Sequence, residues 1–336
     1  MVEKWGEPWN EGYKNLANYT YLLLKNVSGI DIDVLTKENN KLSELRGCDL
    51  IWVFNYPELP ATIPHILKMK LNIKKPIVKF LAKKELDINF REKAKTMLYR
   101  SLIWDVMVTT TELLKLEMAR HFCSSKIFVL PPPIPTDYFH PIDKELARKA
   151  LDLKEDLIYI GYCGKVNKHV KLNIMAEALK SRSLPRDFVL LLAISHVRTK
   201  DDLNRLLLFL KRIAIPVKFV RVNDIRLFYS AVDLLVYPVE REGAIEPPLT
   251  LLEAMSCGTL VAALENPVTR ALIKDMYTGF TFKYPSELGV IIEELFRSSH
   301  ILHIISEQAR KTILNTFSFS KLIKTYLNFI TYWAST

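Results

Sequence analysis

Residues 245–258 read Ile245-Glu246-Pro247-Pro248-Leu249-Thr250-Leu251-Leu252-Glu253-Ala254-Met255-Ser256-Cys257-Gly258, shortly after the apolar run Leu234-Leu235-Val236-Tyr237-Pro238. The order is strand, loop, helix start. Proline has φ preset for a first helical turn and has no amide to satisfy, and Gly258 is suited to end the helix. The amides of Leu249, Thr250 and Leu251 are then expected to point out of the helix start, where the positive pole of the helix dipole suits a phosphate. Glu246 stands at the mouth. Glu253 lies about two turns further along the same face. A phosphate site with two carboxylates beside it implies nucleotide-sugar chemistry.

The flanking sequence has the rhythm of an α/β domain. Downstream of the middle of the chain, strands are expected at 157–163, 188–194, 217–222, 234–237, 260–263 and 279–282. Helices are expected between them, at 171–181, 199–213, 223–232, 248–257, 267–276 and 286–298. Short connections between alternating strands and helices imply parallel sheets covered on both faces, which bind ligands at the carboxyl ends of the strands. Upstream, Pro131-Pro132-Pro133-Ile134-Pro135-Thr136-Asp137-Tyr138-Phe139-His140-Pro141 holds five prolines in eleven residues. Such a segment is neither helix nor central strand and reads as a stiff connector between domains. Before it, a helix at 12–25 carries Leu16, Tyr19, Leu22 and Leu23 on one side. Strands follow at 30–35, 50–54, 76–80, 105–109 and 127–130, with helices near 62–70, 90–101 and 111–121. The domains are therefore 1–135 and 142–315. The last segment, 316–336, carries Phe319, Leu322, Tyr326, Phe329, Ile330 and Trp333 on one helical face, and is expected either to cross back onto the first domain or to cap the second. The strand that should open the first domain, ahead of Gly12, reads as shortened or absent.

A chain of 336 residues holds two ordinary domains. Its 49% hydrophobic and 25% charged content is that of a globular protein rather than a disordered one. No apolar run reaches the length of a membrane span, and Met1-Val2-Glu3-Lys4-Trp5-Gly6-Glu7 has no signal-peptide core, so the chain is expected to be cytoplasmic. Cys48, Cys123, Cys163 and Cys257 are scattered singly, as reduced buried thiols are. The net charge of +10 is concentrated: residues 66–100 hold eleven Lys and Arg against three acids. Met69, Leu71, Ile73, Phe80, Phe90, Met97 and Tyr99 are interleaved with them. Apolar residues among lysines point to an anionic membrane surface before nucleic acid, for which no recognition motif is present. There is no GxGxxG and no GxxxxGK[ST]. Asp31-Ile32-Asp33 is a formal DxD, but its alternation reads as solvent-facing.

The run Leu252-Glu253-Ala254-Met255-Ser256-Cys257-Gly258 resembles the "LEAM-x-x-G" half of the signature of retaining GT-B glycosyltransferases, glycosyltransferase family 4. That signature sets another Glu eight positions before Glu253. Here Ile245 occupies the place, Glu246 comes one position late and Glu242 three positions early, so the first carboxylate is Glu246 or Glu242. The proline connector is similar to the family's "P-P-G-V-D-x-x-x-F-x-P" link. Gly161-Tyr162-Cys163-Gly164-Lys165-Val166 is similar to its "G-R-L…K-G" element, with Lys165 at the Arg position and Lys171 adjacent to the Lys position. Tyr229-Ser230-Ala231-Val232-Asp233 resembles its "Y-x-x-A-D" helix, and Pro8-Trp9-Asn10-Glu11-Gly12 the loop after its first strand.

The resemblance implies a GT-B fold, two Rossmann-like parallel-sheet domains with the active site in the cleft between them. It implies transfer of a hexose from a nucleoside-diphosphate sugar, UDP- or GDP-linked, to a glycan or lipid-linked acceptor with retention of configuration. Lys165, Lys171 and the amides near Thr250 and Leu251 would hold the diphosphate, Glu253 the ribose, and backbone near Val222 the base. Glu246 or Glu242 would act at the donor sugar, and Asn10, Glu11 and Gly12 would face donor and acceptor. No cofactor and no metal is required. The alternative is a non-catalytic sugar-nucleotide-binding module or partner subunit.

Overall fold

The computed structural model describes residues 12–34, 47–54, 76–80, 104–120, 126–180, 188–197, 199–213, 215–240, 246–297 and 299–335. Asn10, Glu11, the strand expected ahead of Gly12, the helices expected at 62–70 and 90–101, Glu242 and most of the basic stretch lie outside the described residues.

The first elements in chain order are α1 (Gly12–Leu24), β1 (Ile51–Val53), β2 (Ile77–Phe80), β3 (Val106–Thr109), α2 (Glu112–Ala119) and β4 (Ile127–Val129). Next come α3 (Lys144–Ala150), β5 (Ile158–Val166), α4 (Leu172–Lys180), β6 (Phe188–Val197), α5 (Lys200–Arg212), β7 (Val217–Phe219), α6 (Ile225–Ala231) and β8 (Leu234–Tyr237). The remainder are α7 (Leu249–Ser256), β9 (Val261–Leu264), α8 (Pro267–Leu272), β10 (Phe280–Phe282), α9 (Pro285–Arg297), α10 (Ser299–Thr316) and α11 (Phe319–Ala334). They divide into two units: Met1–Pro135 with Gly243–Glu246 and Phe319–Thr336, and Thr136–Glu242 with Pro247–Ser318.

The first unit is built on a parallel sheet in the order β1-β2-β3-β4. β2 and β3 are buried along their whole length, as expected of short apolar runs covered on both faces. Thr111 caps α2 by accepting the Leu114 amide at 3.1 Å. Helix α11 packs in this unit against α1. Its Tyr326 hydroxyl donates to the Pro131 carbonyl at 2.8 Å, and the Tyr326 and Phe329 rings lie on Trp52. Residues 77–80 of the basic stretch form β2 and all four are buried: Lys79 lies 5.9 Å above the Trp104 ring, and Phe80 is in the core. They are therefore not part of a lipid-facing surface.

The second unit carries a six-stranded parallel sheet in the order β10-β9-β8-β5-β6-β7. The chain leaves the centre through β5, β6 and β7. It then returns to β8, on the other side of β5, and proceeds outward to β10. The strand order thus reverses between β5 and β8, the place where open parallel sheets leave a crevice at the strands' carboxyl ends. Ile160, Tyr162, Leu190, Leu192, Leu234 and Val236 form the centre of the core beneath α4, α5 and α9. At Gly161, α6 and the residue that follows it lie directly against the sheet. A Cβ there would lie 2.7 Å from Val232 Cγ1 and 3.1 Å from Phe228 Cζ.

Several boundaries differ from the expected ones. Residues 30–34 form no strand, although Asp31 and Asp33 are exposed as the alternation implied; aspartates are poor strand formers, and no strand among the described residues pairs with them. β5 runs three residues further than expected, through a bulge at Gly164 and Lys165. β7 stops at Phe219. α8 stops at Leu272, where the Asp275–Gly279 turn begins. α3 and α10 come in addition to the expected elements. Among the described residues no helix is long and apolar enough to cross a membrane.

Candidate functional site at the carboxyl ends of β5 and β8

Two loops meet at the reversal of strand order. The loop after β5 contains Lys168 and Lys171; the loop after β8 contains Pro238, Val239 and Glu240. The Lys171 amide donates to the Pro238 carbonyl at 2.7 Å, and the Glu240 amide donates to the His169 carbonyl at 3.0 Å. A bridge between Val170 and Val239 lies between these bonds. The two loops are therefore tied together through their backbones. At the end of β5, the Tyr162 hydroxyl donates to the Lys165 carbonyl at 2.6 Å and fixes the bulge that presents Lys165. The Lys171 ammonium pairs with the half-exposed Glu240 carboxylate at 2.9 Å, a partner that no spacing rule announces.

Helix α7 begins beyond this edge with Pro248 as its first cap and no side-chain cap. The Leu251 and Leu252 amides both donate to the Pro248 carbonyl, at 3.1 and 3.2 Å. This corrects the expectation that the Leu251 amide points outward unspent: the first turn closes tightly and consumes it. The amides of Leu249 and Thr250 donate to nothing among the described residues. Gly258, at φ +73°, ends the helix, and the Thr259 amide turns back to the Ala254 carbonyl at 3.0 Å. Arg310 of α10 donates to the Ser256 and Phe139 carbonyls and so ties the far end of α7 down.

Glu253 sits inside α7, 4% exposed, and its Oε2 accepts the Tyr229 hydroxyl of α6 at 2.9 Å. The Cys163 thiol of β5 donates to the same hydroxyl oxygen at 3.8 Å. Burial pushes the Cys163 thiol up to about 12 and holds the Tyr229 phenol well above its ordinary value, so both remain proton donors at neutral pH. Glu246 is also buried, two residues before the cap of α7. Lys165, Lys171, Thr250 and Glu253 all lie in the second unit, Lys165 at the end of β5, Lys171 in the loop after it, and Thr250 and Glu253 in α7. Gly12 begins α1 in the first unit.

Val222 follows β7 and is half-buried. Next to it Asp224 caps α6 and takes the guanidinium of Arg226, with contacts of 2.6–3.0 Å. The Arg226 guanidinium lies 4.1 Å over the Tyr138 ring. Burial pushes the Asp224 carboxyl up, but the hydrogen bonds from Arg226 outweigh it and hold the group below the usual carboxylate range. Asp233, at the end of the tyrosine helix motif, serves the fold: its carboxylate accepts the Tyr159 amide at 2.7 Å and pairs with Arg148 at 2.7 Å.

Residues 143–312 match the family model described as "Glycosyl transferases group 1". No curated protein matches the chain. The fold matches those of solved glycosyltransferases of the GT-B type. HepE of Anabaena in complex with UDP superposes with a TM-score of 0.74 at 15% identity, over 87% of this chain and 80% of that one. Sucrose-phosphate synthase of Thermosynechococcus elongatus gives 0.70 at 16%, over 92% and 83%. A glycosyltransferase of Rickettsia africae gives 0.67 at 18%, over 89% and 83%.

Proposed function

This chain belongs to the glycosyl transferases group 1 family, and on that premise we propose that it moves a hexose from a nucleoside-diphosphate sugar to a glycan or lipid-linked acceptor, with retention of anomeric configuration. The observation that carries the reading is Glu253: a carboxylate buried in the helix beyond the strand-order reversal and held by a tyrosine that also meets Cys163 of β5, the strand that ends in Lys165 and Val166. HepE, similar in fold, is known in complex with UDP and with UDP-glucose. UDP-sugars are therefore the first donors to try, with GDP-sugars next.

In this reading negative charge grows on the β-phosphate as the glycosidic bond breaks. Lys165 and the Thr250 amide meet that charge, and Lys171 does so by exchanging Glu240 for a phosphate oxygen. Glu253 accepts the ribose hydroxyls, and backbone near Val222 reads the base. Glu246 orients hydroxyls of the donor sugar, with Glu242 as the alternative; Asn10, Glu11 and Gly12 contact donor and acceptor. Helix dipole and lysines supply the positive charge, so the scheme needs no metal and no cofactor. We assign the enzyme to the cytoplasm, with residues 66–100 outside the buried strand Ile77–Phe80 meeting anionic lipid. Co-sedimentation with phosphatidylglycerol vesicles at low salt, absent with phosphatidylcholine, is the expected result.

The activity is tested by incubating the protein with UDP-glucose and recording the proton spectrum of the released sugar before mutarotation. The α-anomer is expected. A β-anomer would contradict retention. The non-catalytic alternative draws on Ile245, which stands where the family's signature has a carboxylate. It predicts nucleotide binding with no sugar release from any donor.

A further inference from the structure

Three elements of the second unit converge on one oxygen. Glu253 comes from α7, Tyr229 from α6 and Cys163 from β5, and all three side chains are buried. The Tyr229 hydroxyl has two partners. It donates to Glu253 Oε2 at 2.9 Å and accepts from the Cys163 thiol at 3.8 Å. The thiol occupies an acceptor site on the phenol oxygen, and this leaves the phenol proton directed at the carboxylate. Successive donors of this kind polarise one another in a low-dielectric interior. The tyrosine backbone is fixed as well, since Thr259 Oγ1 donates to the Tyr229 carbonyl at 2.7 Å.

A carboxylate that reads a vicinal diol must be held in one orientation, because small displacements lose both hydrogen bonds together. Glu253 has a flexible three-carbon stem, and its place within a helix does not fix its terminal torsion. One hydroxyl on one carboxylate oxygen does. We infer that Tyr229, backed by Cys163, is a positioning residue that locks the Glu253 carboxylate in the orientation that receives the two hydroxyls of a nucleotide's ribose. The inference rests on the reading of Glu253 given under Proposed function. It gives a part in ligand discrimination to a tyrosine and a cysteine that never touch the ligand.

The test compares UDP with 2′,3′-dideoxy-UDP by titration calorimetry, with the GDP and ADP pairs run in parallel. The proteins are the full-length wild type and the Tyr229→Phe, Cys163→Ala and Glu253→Gln variants. Wild type should prefer the ribose nucleotide by roughly tenfold or more, the value of hydrogen bonds to a charged group. Tyr229→Phe should weaken ribose-nucleotide binding and shrink that preference severalfold while leaving dideoxy-nucleotide affinity in place. Cys163→Ala should do the same to a smaller degree, and it serves as the test if Tyr229→Phe does not fold. A merely structural tyrosine would weaken both nucleotides alike. Wild-type discrimination that Glu253→Gln abolishes and both other variants retain overturns the positioning role alone. A wild type that binds both nucleotides equally, or binds none, overturns the reading of Glu253 and this inference with it.

Discussion

Glu253 is accounted for twice, by the sequence spacing that implies a ligand and by the hydroxyl that holds it. Its substitution therefore separates two costs. Glu253→Leu leaves the Tyr229 hydroxyl without an acceptor in a buried place and should lower stability by about 1–3 kcal/mol in urea unfolding. Glu253→Gln keeps an acceptor and should stay near wild type in stability. Cys163 gives a pH test. Its thiol is raised from 9.0 to about 12 by burial, so the unfolded chain releases this proton first as pH rises. The stability it contributes is complete below pH 9 and lost between about 9 and 12. Cys163→Ala should flatten the fall of Tm across that window relative to wild type; an unchanged slope would mean the thiol is not held neutral. Among single residues, spacing reveals the carboxylate but not its partner. Glu253 stands out through the run from Leu252 to Gly258, whereas Tyr229 is on a different helix and Glu240 on a loop that only the fold brings to Lys171. The spent amide of Leu251 is equally hidden, because a proline at a helix start does not determine how tightly the first turn closes.

Elements explain where the site is rigid. Helices α3 and α6 are joined by Arg148, which donates to the Ala231 carbonyl at 3.1 Å and to Asp233 at 2.7 Å while almost fully buried. Arg148→Ala should cost about 1–3 kcal/mol, because it leaves the buried Ala231 carbonyl without its donor and removes one of the two cations on Asp233, Lys144 remaining at 2.5 Å. Guanidinium unfolding would check this, and a change below about 0.5 kcal/mol would show the pair to be dispensable. Gly161→Ala should cost about 1–3 kcal/mol by forcing α6 away from the sheet. Since α6 carries Tyr229, it should also weaken nucleotide binding. The strands from β5 to β10 are legible because each is a short apolar run bounded by turn residues. Helix α3 is not: its seven residues include an exposed Leu146 and only Ala147 as a buried apolar residue, so no periodicity marks it. Residues 30–34 show the converse: the alternating pattern pairs with no strand among the described residues, and its aspartates are poor strand formers.

The molecule as a whole follows from two series of strands and helices separated by a proline-rich connector. That much is contained in the periodicity and in residues 131–141. The order of the strands is not, because each crossover can return to either side of the sheet. The order is what puts the ends of β5 and β8 side by side, and with them Lys165, Lys171 and the approach to α7. Everything proposed for this chain depends on that edge being a nucleotide site read by Glu253. Titration calorimetry of UDP, GDP and ADP into wild type and Glu253→Gln decides the matter. One of the three nucleotides should bind wild type, and Glu253→Gln should weaken it by about tenfold with the fold intact. A folded wild type that binds none of them, or a Glu253→Gln variant that binds as tightly as wild type, would refute it.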